Sequence, residues 1–432
     1  MMHKKLIAAV TASLLCAALS VAPAAAQAPQ INYNLPSAET IQKQKDSRRN
    51  IAVSERVGRN IMGAFELYSE QNDVKGAIAK LEEASPREAF DIAYVSRFLG
   101  NLYAANEQFE KALSLVKKAA DADVLGWTDQ AGALKLTADL SLQLERYDQA
   151  LTYYARWLQF SGEYNPEVFL RIANIYYEQG KFDMVIKPAD MAIQYYTEVN
   201  KNPYVLKVAS YYERKMYADA IKVLETGLEV LPTEKTWWNQ LGMMYMLEER
   251  IDKALQTLEI AYLAGYLQRD SQYRALVQLY SNNEVPYKAA VTMLKHLNAG
   301  DIEKTVRNFQ NAASNFEAAK EYSRAAQAYG LAAEMEPERD GKAVQYRRQG
   351  NAYIRAQQYD KAIAAFRKAL DHGIEEEGPV LISLSEAYFY SRNYADALKY
   401  NKQAQKFENQ RRNARSWEAY IKRTASNRGV EL

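Results

Sequence analysis

Apolar and small residues recur along this chain with a long, regular period. Ala77, Ala112, Ala150, Val185, Ala220, Ala254, Ala290, Ala325, Ala362 and Ala397 each follow an aromatic or aliphatic residue by three places, at intervals of 34–38 residues. Within each interval the apolar positions recur every three or four residues in two runs separated by a polar turn. That is the pattern of two antiparallel amphipathic helices. Ten such units in sequence predict an all-α fold, a superhelical solenoid of about ten helix-turn-helix units in which each unit buries its apolar face only against its neighbours. Proteins of this kind mostly hold other molecules.

Unit six is the clearest copy, with Trp238, Leu241, Gly242 and Tyr245 followed by Ala254 and Leu258. This resembles the tetratricopeptide (TPR) pattern W-x2-L-G-x2-Y…A-x3-F, with the last position softened to leucine. Unit two repeats it with Leu99, Gly100, Tyr103, Phe109 and Ala112, and unit nine with Tyr346, Gly350, Tyr353, Tyr359, Ala362 and Phe366. Gly100, Gly242 and Gly350 are expected to let two helices approach closely. Tyr103, Tyr176, Tyr211, Tyr245, Tyr353 and Tyr388 occupy one slot of the repeat, so much of the content of 32 tyrosines has a packing explanation. Three places break the pattern. The stretch 119–130, with Gly126 and Trp127, lengthens one interval. Pro188 falls several residues inside a second helix, where it should kink the helix and remove a backbone hydrogen bond. Unit seven gains a residue before Val285, Pro286 and Tyr287. Drift of an old array and a change of curvature that makes a joint or notch are both compatible with these breaks.

The ends read differently. Residues 1–26 have the form of a secretory signal: Lys4 and Lys5, an uncharged apolar core from Leu6 to Leu19, and the small-residue site Ala24, Ala25 and Ala26. The sole cysteine, Cys16, follows two leucines, which argues against a lipid anchor. Residues 27–50 are expected to be a leader, flexible to about residue 36, and the start of an N-terminal helix capped by Ser37. Residues 51–405 form the solenoid. Residues 406–432 make a basic capping helix and tail, with Phe407, Ala414, Trp417 and Ile421 as its apolar stripe and seven Lys or Arg against two Glu in 406–428. A solvated cap is expected there rather than a docking site for an acidic partner or lipid headgroups.

Charge and chemistry narrow the function. Removing Lys4 and Lys5 with the leader lowers 55 basic residues to 53, equal to the 53 acidic residues, so a nucleic-acid partner is not expected. The apolar run from Ile260 to Leu267 is too short to span a bilayer, and the chain is not expected to be an integral membrane protein. The address these features suggest is the periplasm of a two-membrane bacterium. His296 and His372 lie on different repeats without a second ligand at zinc spacing. Glu375, Glu376 and Glu377 read as a solvated turn. No phosphate loop, nucleophile elbow or Cys/His pair is evident, so no catalytic residue, metal, cofactor or small-molecule substrate is expected. The expected contact surface is the concave groove lined by the first helix of each repeat. Its candidate residues are Arg97, Asn101, Asn174, Tyr177, Tyr212, Met243, Met246, Arg347, Asn351 and Ile354. Arg97 with Asn101, and Arg347 with Asn351, resemble half of the carboxylate clamp by which some tetratricopeptide domains hold a peptide's C-terminus. Arg and Asn one helical turn apart can both donate to one carboxylate. Units three and ten lack matching residues, which favours a groove for an extended or helical segment.

From Lys235 onward the resemblance is more specific. Trp238 and Leu241, the phrase from Ala261 to Leu267, and the run from Val285 to Ala290 resemble the exported tetratricopeptide proteins found alongside TonB–ExbB–ExbD energy-transducing systems. That resemblance implies a periplasmic accessory of outer-membrane uptake that binds TonB-, ExbB- or ExbD-type components. It carries no functional residue onto named positions. A periplasmic scaffold for outer-membrane or peptidoglycan assembly is the alternative.

Overall fold

A computed structural model describes residues 31–48 and 51–432. The expected signal segment, residues 1–26, lies outside them. The described residues form 22 helices and no strand. They divide into two compact units, the first ending at Thr197 and the second starting at Glu198.

In the first unit, α1 (Ala38–Ser47) precedes four helix pairs: α2 (Glu55–Ser69) with α3 (Val74–Glu82), α4 (Ala89–Ala105) with α5 (Phe109–Ala122), α6 (Trp127–Gln143) with α7 (Tyr147–Ser161), and α8 (Pro166–Glu178) with α9 (Phe182–Tyr195). The second unit holds six pairs: α10 (Asn202–Glu213) with α11 (Tyr217–Val230), α12 (Lys235–Leu247) with α13 (Ile251–Leu263), α14 (Asp270–Asn282) with α15 (Pro286–Ala299), α16 (Val306–Ala318) with α17 (Tyr322–Met335), α18 (Arg339–Arg355) with α19 (Tyr359–Asp371), and α20 (Glu377–Tyr390) with α21 (Tyr394–Ala404). The helix α22 (Glu408–Asn427) closes it. All ten small positions of the sequence period are completely buried on the second helices. The register read from the sequence is therefore the register of the packing.

Close approach explains the small residues. A methyl group built on Gly100 would lie 2.2 Å from Val116 Cγ2, and one on Gly350 2.5 Å from the Phe366 ring. Three of the slot tyrosines work as latches between successive repeats. The Tyr103 hydroxyl donates to Glu82 on the preceding helix and that of Tyr245 to Glu225, while Arg367 donates to that of Tyr388. The hydrogen bond to Glu82, with burial, pushes the Tyr103 phenol up to about 12, and burial together with Glu225 does the same for Tyr245. At unit six Trp237 rather than Trp238 fills the core, its ring closed against Gly227, while Trp238 donates from Nε1 to the Pro232 carbonyl at 2.8 Å.

Each turn within a pair holds one residue in the left-handed region. Gly180 serves in the fourth pair; the other nine are Asn72, Glu107, Glu145, Lys215, Glu249, Glu284, Lys320, Gln357 and Arg392. Such a residue costs about 1 kcal/mol without glycine's freedom, so tertiary packing sets these turns. At Pro188 the helix α9 runs on unbroken from Phe182 to Tyr195, with Pro188 buried. Packing of its neighbours Val185, Ala189 and Ala192 outweighs the lost hydrogen bond.

Residues 31–36 depart most from expectation. Read as a flexible leader, they instead lie against α7 and α8 without helix or strand. Gln159 Nε2 donates to the carbonyls of Asn32, at 2.9 Å, and Asn34, at 3.4 Å. Ile31 is buried, and Tyr33 packs on Phe169 with ring centroids 6.2 Å apart. Burial raises the Tyr33 phenol well above its ordinary range. Ser37 then caps α1, accepting from Thr40 N at 3.2 Å. Arg48 donates to the Leu125 carbonyl at 2.8 Å and pairs with Asp123. The lengthened stretch 119–130 thus receives the end of α1.

Candidate partner-binding surface

In each unit a cleft lies between successive first helices. In the first unit, α2 and α4 enclose about 590 Å³ lined by Ile61, Met62, Phe65, Tyr94, Arg97 and Asn101, among others. Met62 is 74% exposed and Phe65 59%, so α2 turns large apolar side chains to solvent. In the second unit, a cleft of about 320 Å³ lies between α12 and α14, lined by Asn239, Met243, Met246, Leu247, Arg269 and Gln272, with Leu258 at its base. Met243 is 56% exposed.

The ten residues chosen from the sequence all reach the surface at least in part. Arg97 with Asn101, and Met243 with Met246, share a cleft. The others do not converge. Asn174 and Asn351 are exposed singly. Tyr177 meets Phe182 edge-on at 5.4 Å, and Tyr212 leans on Tyr217 at 5.9 Å. Ile354 packs against the core around Ala362 and Phe366.

The half-clamp arginines already hold carboxylates of the same chain. Arg97 pairs with Asp129 at 2.7 Å, and Arg347 with Glu376 at 3.2 Å, in each case from the next repeat. A ligand carboxylate at either position would share or displace that partner, an exposed pair at Arg347 and a partly buried one at Arg97. Arg171 and Asp139 make a similar link from α8 back to α6, joined by Tyr154. These charges stitch repeats together. The apolar stripe Ile61, Met62 and Phe65 was not singled out from the sequence, although its spacing on a helix marks one face.

His296 has a packing role. Its Nδ1 lies 2.7 Å from Asp301 Oδ2 and its Nε2 3.1 Å from the Tyr262 hydroxyl, with the ring stacked on Tyr273 at 3.9 Å. Lys295 also donates to Tyr262, at 2.9 Å. The cluster clasps the ends of α13, α14 and α15. Among the described residues no group of three or more His, Cys, Asp or Glu could hold a metal ion. No helix among them is long and apolar enough to cross a membrane.

Comparison with known proteins agrees with this architecture. Family models of the tetratricopeptide repeat match residues 97–167 and 343–373. No curated protein matches the chain. Among solved structures it is similar to one of Naa15/Naa10 bound to HypK-THB, at 14% identity and a TM-score of 0.46, covering 86% of this chain and 61% of that one. The chain therefore spans less than two thirds of that neighbour's length. A tetratricopeptide repeat protein from Parabacteroides merdae is 13% identical over 77% of this chain and 99% of its own, with a TM-score of 0.35. The C-terminal part of a TPR repeat-containing protein from Cytophaga hutchinsonii is 17% identical over 57% and 98%, with a TM-score of 0.36. The helix pairs and the two repeat matches make this an all-α tetratricopeptide-repeat solenoid, an architecture that serves as a protein-interaction scaffold.

Proposed function

We propose that this protein is a non-catalytic scaffold that holds extended polypeptide segments against the first helices of its repeats, working in the periplasm as an accessory of a TonB-type energy-transduction system. One observation carries the scaffold reading. Residues 31–36 already lie on the repeats without helix or strand, their main-chain carbonyls gripped by Gln159 on the second helix α7 and the Tyr33 ring seated on Phe169 of the first helix α8. A surface that holds one such segment by a side-chain amide and an apolar seat has the chemistry to hold another. The exposed apolar clefts beside Met62 and Met243 supply further seats. The periplasmic address rests on the signal-like residues 1–26. The transport role rests on the resemblance at Ala261 to Leu267 and Val285 to Ala290.

Affinity capture after crosslinking in intact cells tests the transport role. The expected result is recovery of ExbB-, ExbD- or TonB-type proteins, with poor growth of a deletion strain under iron limitation. Normal growth together with capture of outer-membrane or peptidoglycan assembly proteins would replace that role with envelope assembly.

A further inference from the structure

The cleft between α12 and α14 carries chemistry that the repeat architecture does not use. Asn239, Met243, Met246 and Leu247 form one face of α12, by their spacing of three, four and eight residues. Met243 and Leu247 are 56% and 45% exposed, whereas Asn239 is only 9% exposed. The Asn239 amide donates from Nδ2 to the Lys235 carbonyl at 3.2 Å, yet its Oδ1 has no hydrogen-bond partner. A buried acceptor left without a donor destabilises the empty cleft, so a donor that reaches it is favoured. Arg269 is the one charged side chain lining the cleft. It is exposed, and no carboxylate among the described residues pairs with it. Arg97 and Arg347, by contrast, are neutralised by Asp129 and Glu376.

Building on the scaffold reading, we propose that this cleft is the anchor site for an extended acidic segment of a partner protein. An aliphatic or aromatic side chain of that segment fills the space between Met243, Met246 and Leu247. A main-chain N–H donates to Asn239 Oδ1, and an Asp or Glu one or two residues away pairs with Arg269. Methionine suits such a seat: its three rotatable bonds let the cleft open onto the buried oxygen and adapt to different side chains. An apolar anchor in a desolvated pocket beside an arginine is the arrangement that concentrates binding energy at protein interfaces. The charge of the cleft selects acidic over basic flanks.

A display library of random ten-residue peptides, panned on the full chain and on Met243→Glu, Arg269→Glu and Asn239→Ala, tests this. Met243 and Arg269 are exposed, and Asn239→Ala removes an unsatisfied acceptor, so all three should keep the wild-type circular dichroism and melting behaviour. The wild type should enrich peptides with an apolar residue next to Asp or Glu. A labelled winner should bind Met243→Glu and Asn239→Ala at least about tenfold more weakly. Arg269→Glu should shift the enriched flank to Lys or Arg. Winners that bind all three variants as tightly as wild type would overturn the cleft assignment while leaving the scaffold reading intact. No enrichment on the wild type would overturn both.

Discussion

Replacing Phe169 by alanine is expected to lower the stability of the first unit by about 3–5 kcal/mol, the range for emptying a fully buried phenylalanine site. Phe169 is completely buried and sits at the centre of an aromatic group, with Tyr33 at 6.2 Å, Tyr164 at 6.4 Å and Tyr195 at 6.3 Å between ring centroids. Its loss removes the seat of the 31–36 segment as well as part of the core between α8 and α9. Hydrogen exchange over residues 31–48 should therefore rise markedly, since α1 has no buried residue of its own and the hydrogen bonds of Gln159 and Arg48 are left to hold the segment. Tyr33→Ala should release the same segment at a smaller cost, because it leaves Phe169 covered by Tyr164 and Tyr195. Unchanged protection of residues 31–48 in both variants would mean that Phe169 does not hold the segment.

Gly100→Val is expected to cost about 3 kcal/mol, the upper end of the usual range for overpacking. The first added carbon would lie 2.2 Å from Val116 Cγ2 and 3.2 Å from two backbone atoms, Ala112 O and Val116 N. A side chain can rotate away, but the backbone of α5 cannot, so α4 and α5 must separate. The helix-propensity advantage of valine over glycine, a few tenths of a kcal/mol, does not offset this. Gly132→Val is the matched control, since no atom lies within 4 Å of a methyl built there. Urea titration should show a lower midpoint for Gly100→Val and a wild-type or slightly higher one for Gly132→Val. Equal midpoints would mean that close approach is not why glycine stands at position 100.

These two sites show what the sequence made legible and what it did not. The helix pairing at Gly100 was readable because it rests on a local, repeated pattern: glycine in one helix, alanine at a fixed distance in the next. The ten buried small positions follow for the same reason. The role of Tyr33 was not readable, since Gln159 and Phe169 lie more than 120 residues away and no period relates them. Nor do Asn32 and Asn34 mark the contact by residue type, because their main-chain carbonyls receive the hydrogen bonds from Gln159. The turns were equally hidden: Glu107, Glu249 and Arg392 carry no mark of the left-handed conformation that the packing imposes.

At the candidate surface, the face of α12 was legible as Met243 and Met246 because a helix period fixes which residues share a side. The ion pairs at Arg97 and Arg347 were not legible in the sequence, because the carboxylates they hold, Asp129 and Glu376, come from the next repeat. Asn239 was missed since its orphaned oxygen is a property of burial, not of residue type. Spacing shows which residues share a helix face; only the packed neighbours show which of them remain available.

Site-specific photocrosslinking in the native host tests most directly whether the first-helix face is the one that holds a partner. A photoreactive residue placed at the exposed positions Asn174, Met243 and Asn351 on first helices is compared with one at Lys118, Lys222 and Gln327, exposed on second helices. The scaffold account predicts polypeptide adducts from the first set and none from the second. Adducts formed equally from both sets, or from the second alone, would contradict it.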